Sequence, residues 1–207
     1  LPILHRSLKD KEIYWVNNRE DQSKTIEAKF RVSGKEVEIW HAETGKMEKA
    51  SYSYDGKQTK VNLELTPNDA VFVVFDKPTS VSNYTKPNAS ETKLFELNGT
   101  WEVSFQKERG APLMVKMDTL KSHSENENPG VKYFSGTATY TQYFNIAQDV
   151  LNSNSNFNID LGDAKEIAEV LVNGQSIGVV WKTPYKIDLK NTLRAGNNKI
   201  EVKVTNL

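Results

Sequence analysis

The chain has 207 residues, with 27 Lys plus Arg against 27 Asp plus Glu and a formal net charge of zero. Balanced charge without a block of like charges excludes the basic footprint of a nucleic-acid or acidic-membrane binder, and the lack of cysteine excludes disulfides, thiolate nucleophiles and cysteine-built zinc sites while leaving the compartment open. No apolar run approaches the roughly 18 residues of a membrane span, and the length accommodates one large domain or two of about 100 residues.

In chain order, the opening LPILHRSLKD has no signal-peptide pattern and reads as the interior of a longer polypeptide. Short runs rich in β-branched and aromatic residues follow at 13–16, 25–32, 37–40, 50–54, 60–65 and 70–75. Turn residues separate them: Asn17-Asn18, Ser33-Gly34, Thr44-Gly45, Asp55-Gly56 and Pro67-Asn68-Asp69. Strict alternation in Val61-Asn62-Leu63-Glu64-Leu65 predicts one buried and one wet face, and Asp55-Gly56 predicts a hairpin. Residues 76–92 hold two prolines and few apolar side chains, the composition of a linker. Strand patterns resume at 94–97, 101–105, 136–144, 157–161, 167–172, 176–181, 185–189 and 199–204, with one short helix predicted at 147–151. The polar stretch 118–132 is a long loop, a solvated connection or a functional one. The expected fold is therefore all-β, with two β-sandwich domains at 1–78 and 93–207 joined by a linker at 79–92.

Little catalytic chemistry is legible. His5, His41 and His123 show no metal-ligand spacing and no relay partner, and each reads as a surface or packing residue. A glycosidase needs two carboxyl groups about 5 Å, or about 6.5–9.5 Å, apart, and nothing singles out such a pair among 27 acids. No catalytic residue, metal ligand or cofactor site is expected; a structural calcium, known in jelly rolls, finds no acid-rich ligand loop here. Sugar recognition calls for an exposed ring with polar groups beside it. Trp15, Trp40 and Trp101 lie within strand patterns and read as core. Trp181 stands where a strand runs into Lys182-Thr183-Pro184-Tyr185, so its ring is expected at a loop edge beside an ammonium and a hydroxyl. Packing against Pro184 is the structural alternative for that ring.

The run Val172-Asn173-Gly174-Gln175-Ser176-Ile177-Gly178, then Trp181, Pro184-Tyr185, Asp188-Leu189, Leu193, Gly196-Asn197 and 200–204, resembles the end of the sugar-binding jelly roll of family 2 glycoside hydrolases. Leu97-Asn98-Gly99-Thr100-Trp101 and Tyr133-Phe134-Ser135-Gly136-Thr137-Ala138-Thr139-Tyr140 look like earlier parts of the same domain. The closer resemblance is to the C-terminal region of glycoside hydrolase family 106, the α-L-rhamnosidases. It extends to His5-Arg6, Ile13-Tyr14-Trp15-Val16-Asn17-Asn18-Arg19 and Glu38-Ile39-Trp40 in the first half. Lys121-Ser122-His123 departs from the family pattern, which has a tryptophan in that loop.

The resemblance implies an Ig-like module followed by a galactose-binding-like jelly roll, serving as the non-catalytic tail of a secreted or periplasmic bacterial enzyme. The parent's catalytic barrel and a rhamnose- or galactose-containing glycan are the implied partners, with polysaccharide degradation as the implied setting. The carbohydrate contacts would fall to Asn173, Trp181, Lys182 and Tyr185. From a different class, an adhesive or spacing module contacting protein fits the same fold. It would show a flat protein-facing patch in place of a glycan footprint.

Overall fold

The structure is a computed structural model that describes residues 2–88, 90–153, 155–189 and 191–206. The chain divides into two compact units, Leu1–Glu91 and Thr92–Leu207. Its regular structure is nearly all strand, in antiparallel sheets that pair as β-sandwiches.

In the first unit, β1 (Ile3–Ser7), β2 (Glu12–Asn17), β8 (Ala70–Pro78), β4 (Lys35–His41) and β5 (Met47–Lys49) form one sheet in that order. The second sheet runs β3 (Lys24–Phe30), β7 (Thr59–Leu65), β6 (Tyr52–Tyr54) and β9 (Asn83–Tyr84). The alternation in β7 buries Val61, Leu63 and Leu65 and leaves Asn62 and Glu64 exposed, as a sheet with one dry face requires. Those side chains meet Val16, Val37, Val73 and Phe75 of the opposite sheet to form the core. In the β6–β7 turn, Asp55 Oδ1 accepts from the backbone N–H of Lys57 and Gln58 at 3.0 and 2.9 Å, and Gly56 takes a φ of 92°.

Two expectations are corrected here. Trp15 and Trp40 are not core residues, because cross-strand register puts Leu4, Trp15, Phe72, Trp40 and Met47 in one row on the outer face of the five-stranded sheet. Leu4 and Met47, at the ends of the row, are exposed, and the three rings between them are half-buried. The expected linker 79–92 falls within the first unit as far as Glu91, and its first half is bonded to that unit's strands and loops. Thr79 N–H donates to Gly34 O at 2.9 Å, Tyr54 N–H donates to Ser82 O at 2.8 Å, and Asn83 and Tyr84 pair with Ser53 and Tyr52. Ala89 of that stretch lies outside the described residues.

The hold on this segment is partly ionic. Lys86 Nζ and Lys46 Nζ lie 2.8 and 3.1 Å from Glu48 Oε2, and His41 Nε2 lies 3.2 Å from Oε1. Burial pushes the Glu48 carboxyl up, but hydrogen bonds from Lys86, Lys46 and His41 outweigh it and bring the pKa down to about 2.

The second unit holds a six-stranded sheet in the order β11 (Met114–Met117), β10 (Trp101–Phe105), β12 (Gly136–Ile146), β17 (Gly196–Asn206), β14 (Ile167–Val172) and β15 (Gln175–Val180). A smaller sheet pairs β13 (Asn158–Asp160) with β16 (Lys186–Asp188). Ile159 and Ile187 of the small sheet pack against the cluster that holds Val103, Val170, Val172 and Ile200 of the large one. Trp101 is buried in this cluster, as its strand pattern predicts. The expected strand at 94–97 does not form, and the predicted helix is the single turn α2 (Gln148–Leu151).

The polar stretch 118–132 turns back into the domain. It holds a 3-10 turn at His123–Glu125 and the one-turn helix α1 (Pro129–Lys132). Asn128 caps α1 by accepting from Gly130 N–H at 2.8 Å, and Val131 is fully buried. His123 packs against Phe105 and Phe134, and its Nε2 lies 2.6 Å from Tyr140 Oη. Burial lowers the His123 pKa below the usual 6.5 and raises that of Tyr140 to about 12, so a neutral phenol meets a neutral imidazole.

A histidine held neutral by the fold binds fewer protons folded than unfolded. Its contribution is therefore fully present above pH 6.5 and is lost as pH falls from there through its lowered folded value. The urea midpoint of the second unit is expected to drop between about pH 7.5 and about pH 5, and to drop less in a His123→Phe/Tyr140→Phe double variant. Equal pH dependence in the two proteins would remove His123 from this account.

Candidate functional site

The hairpin β14–β15 organises the neighbourhood of Trp181. Its two-residue turn has Asn173 and Gly174 at φ 51° and 82°, the paired positive values that an Asn-Gly hairpin turn demands. Asn173 spends its side chain on the fold. Its Nδ2 donates to Thr192 O and Asn198 Oδ1, both at 2.9 Å, and its Oδ1 accepts from Lys199 N–H at 3.0 Å. With both amide donors used, Asn173 has none left for a sugar hydroxyl.

Trp181 follows the last residue of β15 and is 57% exposed. The strand pattern ends one residue before it, so the ring leaves the sheet edge instead of entering the core. Lys182 beside it is half-buried. Tyr185 corrects the expectation of a hydroxyl at the loop edge. It is 7% exposed, and its carbonyl accepts from Leu161 N–H at 2.9 Å. It directly precedes β16, the strand that pairs with β13. Asn173 and Trp181 stand at opposite ends of β15, about 20 Å apart at a strand's rise per residue. Of the four expected residues, the structure thus leaves Trp181 and Lys182 together at the surface.

Two surface clefts were not anticipated. One, of about 410 Å³, lies in the first unit and includes His5, Ser7, Glu12, Tyr14 and Arg31. His5 stacks on Tyr14 with centroids 4.1 Å apart, and its Nε2 lies 2.7 Å from Glu12 Oε2, while Ser7 Oγ donates to Glu12 Oε1 at 2.8 Å. Hydrogen bonds from His5 and then Ser7 hold the Glu12 carboxyl below the usual carboxylate range. The serine proton points to the carboxylate and not to the imidazole, so the trio is no nucleophilic relay. The second cleft, of about 340 Å³, lies in the second unit around Glu102, Lys116 and Tyr143. Among the described residues, no group of three or more His, Asp or Glu is placed to hold a metal ion, and no helix is long and apolar enough to cross a membrane.

Residues 1–54 match the family described as alpha-L-rhamnosidase. The chain also aligns over 99% of its length with a rhamnosidase from Novosphingobium sp. PP1Y, at 40% identity and a TM-score of 0.94. The chain is related to the α-L-rhamnosidases of glycoside hydrolase family 106. Over 111 residues, 54% of its length, the chain is also 47% identical to a Formosa agariphila protein that bears the name beta-glucuronidase. It spans 19% of the Novosphingobium chain and 10% of the Formosa protein. The relation places it among glycoside hydrolase-related proteins with all-β, sandwich-type architecture.

Proposed function

We propose that this chain is the non-catalytic, carbohydrate-contacting part of a rhamnosidase-type glycoside hydrolase that bacteria export to degrade polysaccharide. In this reading the first unit is an Ig-like brace. The second is a galactose-binding-like jelly roll, and both work beside a catalytic barrel elsewhere in the parent chain, without a cofactor of their own. The observation that carries the reading is the alignment of the chain, over nearly its whole length, with about a fifth of a rhamnosidase. Trp181 adds to it, since a large ring exposed at the end of a rigid hairpin offers an apolar face at little entropic cost.

The test is a titration of the 207-residue chain with L-rhamnose, D-galactose and a rhamnose-containing pectin fragment, followed by amide shifts. Saturable shifts are expected, with those near Trp181 weakened about tenfold or more by Trp181→Ala, the loss typical of truncating an aromatic anchor. A spectrum unmoved by all three sugars would sink the carbohydrate reading and leave a structural brace.

A further inference from the structure

We propose that the outer face of the six-stranded sheet carries a second saccharide subsite, built from Glu102, Lys116, Thr141 and Tyr143 and selective for a neutral sugar unit. The inference rests on the carbohydrate reading above and gives it a place that no motif in the chain announces.

The site follows from strand alternation and register. In β10, Trp101, Val103 and Phe105 point into the core, so Glu102 points out. Register sets Lys116 of β11 and Thr141 of β12 directly opposite Glu102 on its two sides, which puts the three side chains in one row. Tyr143, two residues beyond Thr141 on the same face, is 59% exposed. The 98–100 loop bounds one end of the cleft, where Gly99 has a φ of 105° and presents no side chain.

Two observations mark this row as more than a solvated face. Glu102 and Lys116 face each other across adjacent strands, yet neither side chain makes an ion pair or hydrogen bond among the described residues. Elsewhere on the same sheet a comparable pair does close, with Lys203 Nζ 3.1 Å from Glu169 Oε2. Gln142, between Thr141 and Tyr143, turns its side chain to the opposite face of β12, where its Nε2 donates to Asn98 O at 3.1 Å. The volume, about 340 Å³, falls in the range of small-ligand pockets.

The chemistry is that of a polyol with an apolar side. A carboxylate accepts from one hydroxyl, an ammonium donates to its neighbour, the Thr141 hydroxyl does either, and the Tyr143 ring covers C–H groups. The opposed charges cancel, so a uronate or phosphate gains from Lys116 what it loses to Glu102, while a neutral sugar uses both. This subsite is distinct from Trp181, because four strand spacings separate β10 from β15, about 19 Å.

The experiment is an amide-shift titration of the whole chain with L-rhamnose, D-galactose and D-glucuronate, repeated on Glu102→Gln, Tyr143→Ala and Trp181→Ala. The expected result is saturable shifts at 99–103, 115–117 and 141–143 with the neutral sugars. Glu102→Gln and Tyr143→Ala should weaken them about tenfold, and Trp181→Ala should leave them intact. Tyr143 is exposed, so its variant should keep the native melting midpoint, separating lost binding from lost folding. Shifts confined to the Trp181 loop would remove the subsite and keep the carbohydrate reading, and shifts stronger with glucuronate would overturn its neutral selectivity. Silence at both places would remove both.

Discussion

Asn198→Asp is expected to destabilise the second unit by about 3 kcal/mol at neutral pH, more than any surface substitution in the chain. Asn198 is fully buried, and its amide is used four times over. Nδ2 donates to Arg194 O and Gly196 O at 2.7 and 3.0 Å, and Oδ1 accepts from Asn173 Nδ2 and Arg194 N–H, both at 2.9 Å. A carboxylate in its place turns an anionic oxygen toward two carbonyls and strips both of their donor. Each buried group so orphaned costs about 1–3 kcal/mol, and burying the charge adds to it.

The pH dependence is diagnostic. Burial pushes the introduced carboxyl's pKa up, so acidification protonates it and restores one donor, and the gap between variant and native protein narrows as pH falls. A deficit under about 1 kcal/mol that ignores pH would show that the network merely decorates the turn. The consequence reaches Trp181, because Asn198 fixes Asn173, and Asn173 fixes the hairpin whose far end presents that ring.

How much of this was legible beforehand depends on whether a feature is local. The Asn173-Gly174 turn, the alternating β7 and β17, and the exposed ring at Trp181 each rest on a few consecutive residues, and each reads correctly from them. β1 did not, since all five of its side chains are exposed and only pairing with β2 makes it a strand. β9 is two residues long, and β11 has a single lysine amid apolar residues, so neither shows a period. Residues 94–97 look like a strand but find no partner strand, and an unpaired extended segment is not a sheet. Trp15 and Trp40 misled because large aromatics are usually inside, whereas here their strands need Tyr14, Val16, Val37 and Ile39 for the core and must turn the tryptophans outward.

The site was less legible than the fold for the same reason. Tyr185 is set by its place directly before β16, and the row of Lys116, Glu102 and Thr141 comes from three strands that only register brings together. His123 reads as a surface or packing residue, with no sign of which, until Phe105, Phe134 and Tyr140 surround it.

Phe75→Ala is expected to cost the first unit about 4 kcal/mol, the upper range for deleting a buried aromatic side chain. β8 is the central strand of its sheet, bonded to β2 on one side and β4 on the other, and Phe75 is fully buried beneath it. Its ring meets Phe30 at 5.3 Å and Tyr14 at 5.9 Å, both near edge-to-face, so alanine forfeits transfer energy, ring pairing and the packing of two further aromatics at once. Urea unfolding followed by amide exchange in β2, β4 and β8 measures the loss. The Phe72→Ala variant, three residues earlier on the outer face of the same strand, should cost far less because its ring is half-buried. Equal costs at 72 and 75 would mean that the outer aromatic row is held as firmly as the core. A loss at Phe75 below about 2 kcal/mol would mean that the sandwich collapses onto the space left behind. Because Tyr14 carries the stacked His5, the same substitution should also loosen the His5–Glu12 contact, visible as amide-shift changes in β1 and at the start of β2.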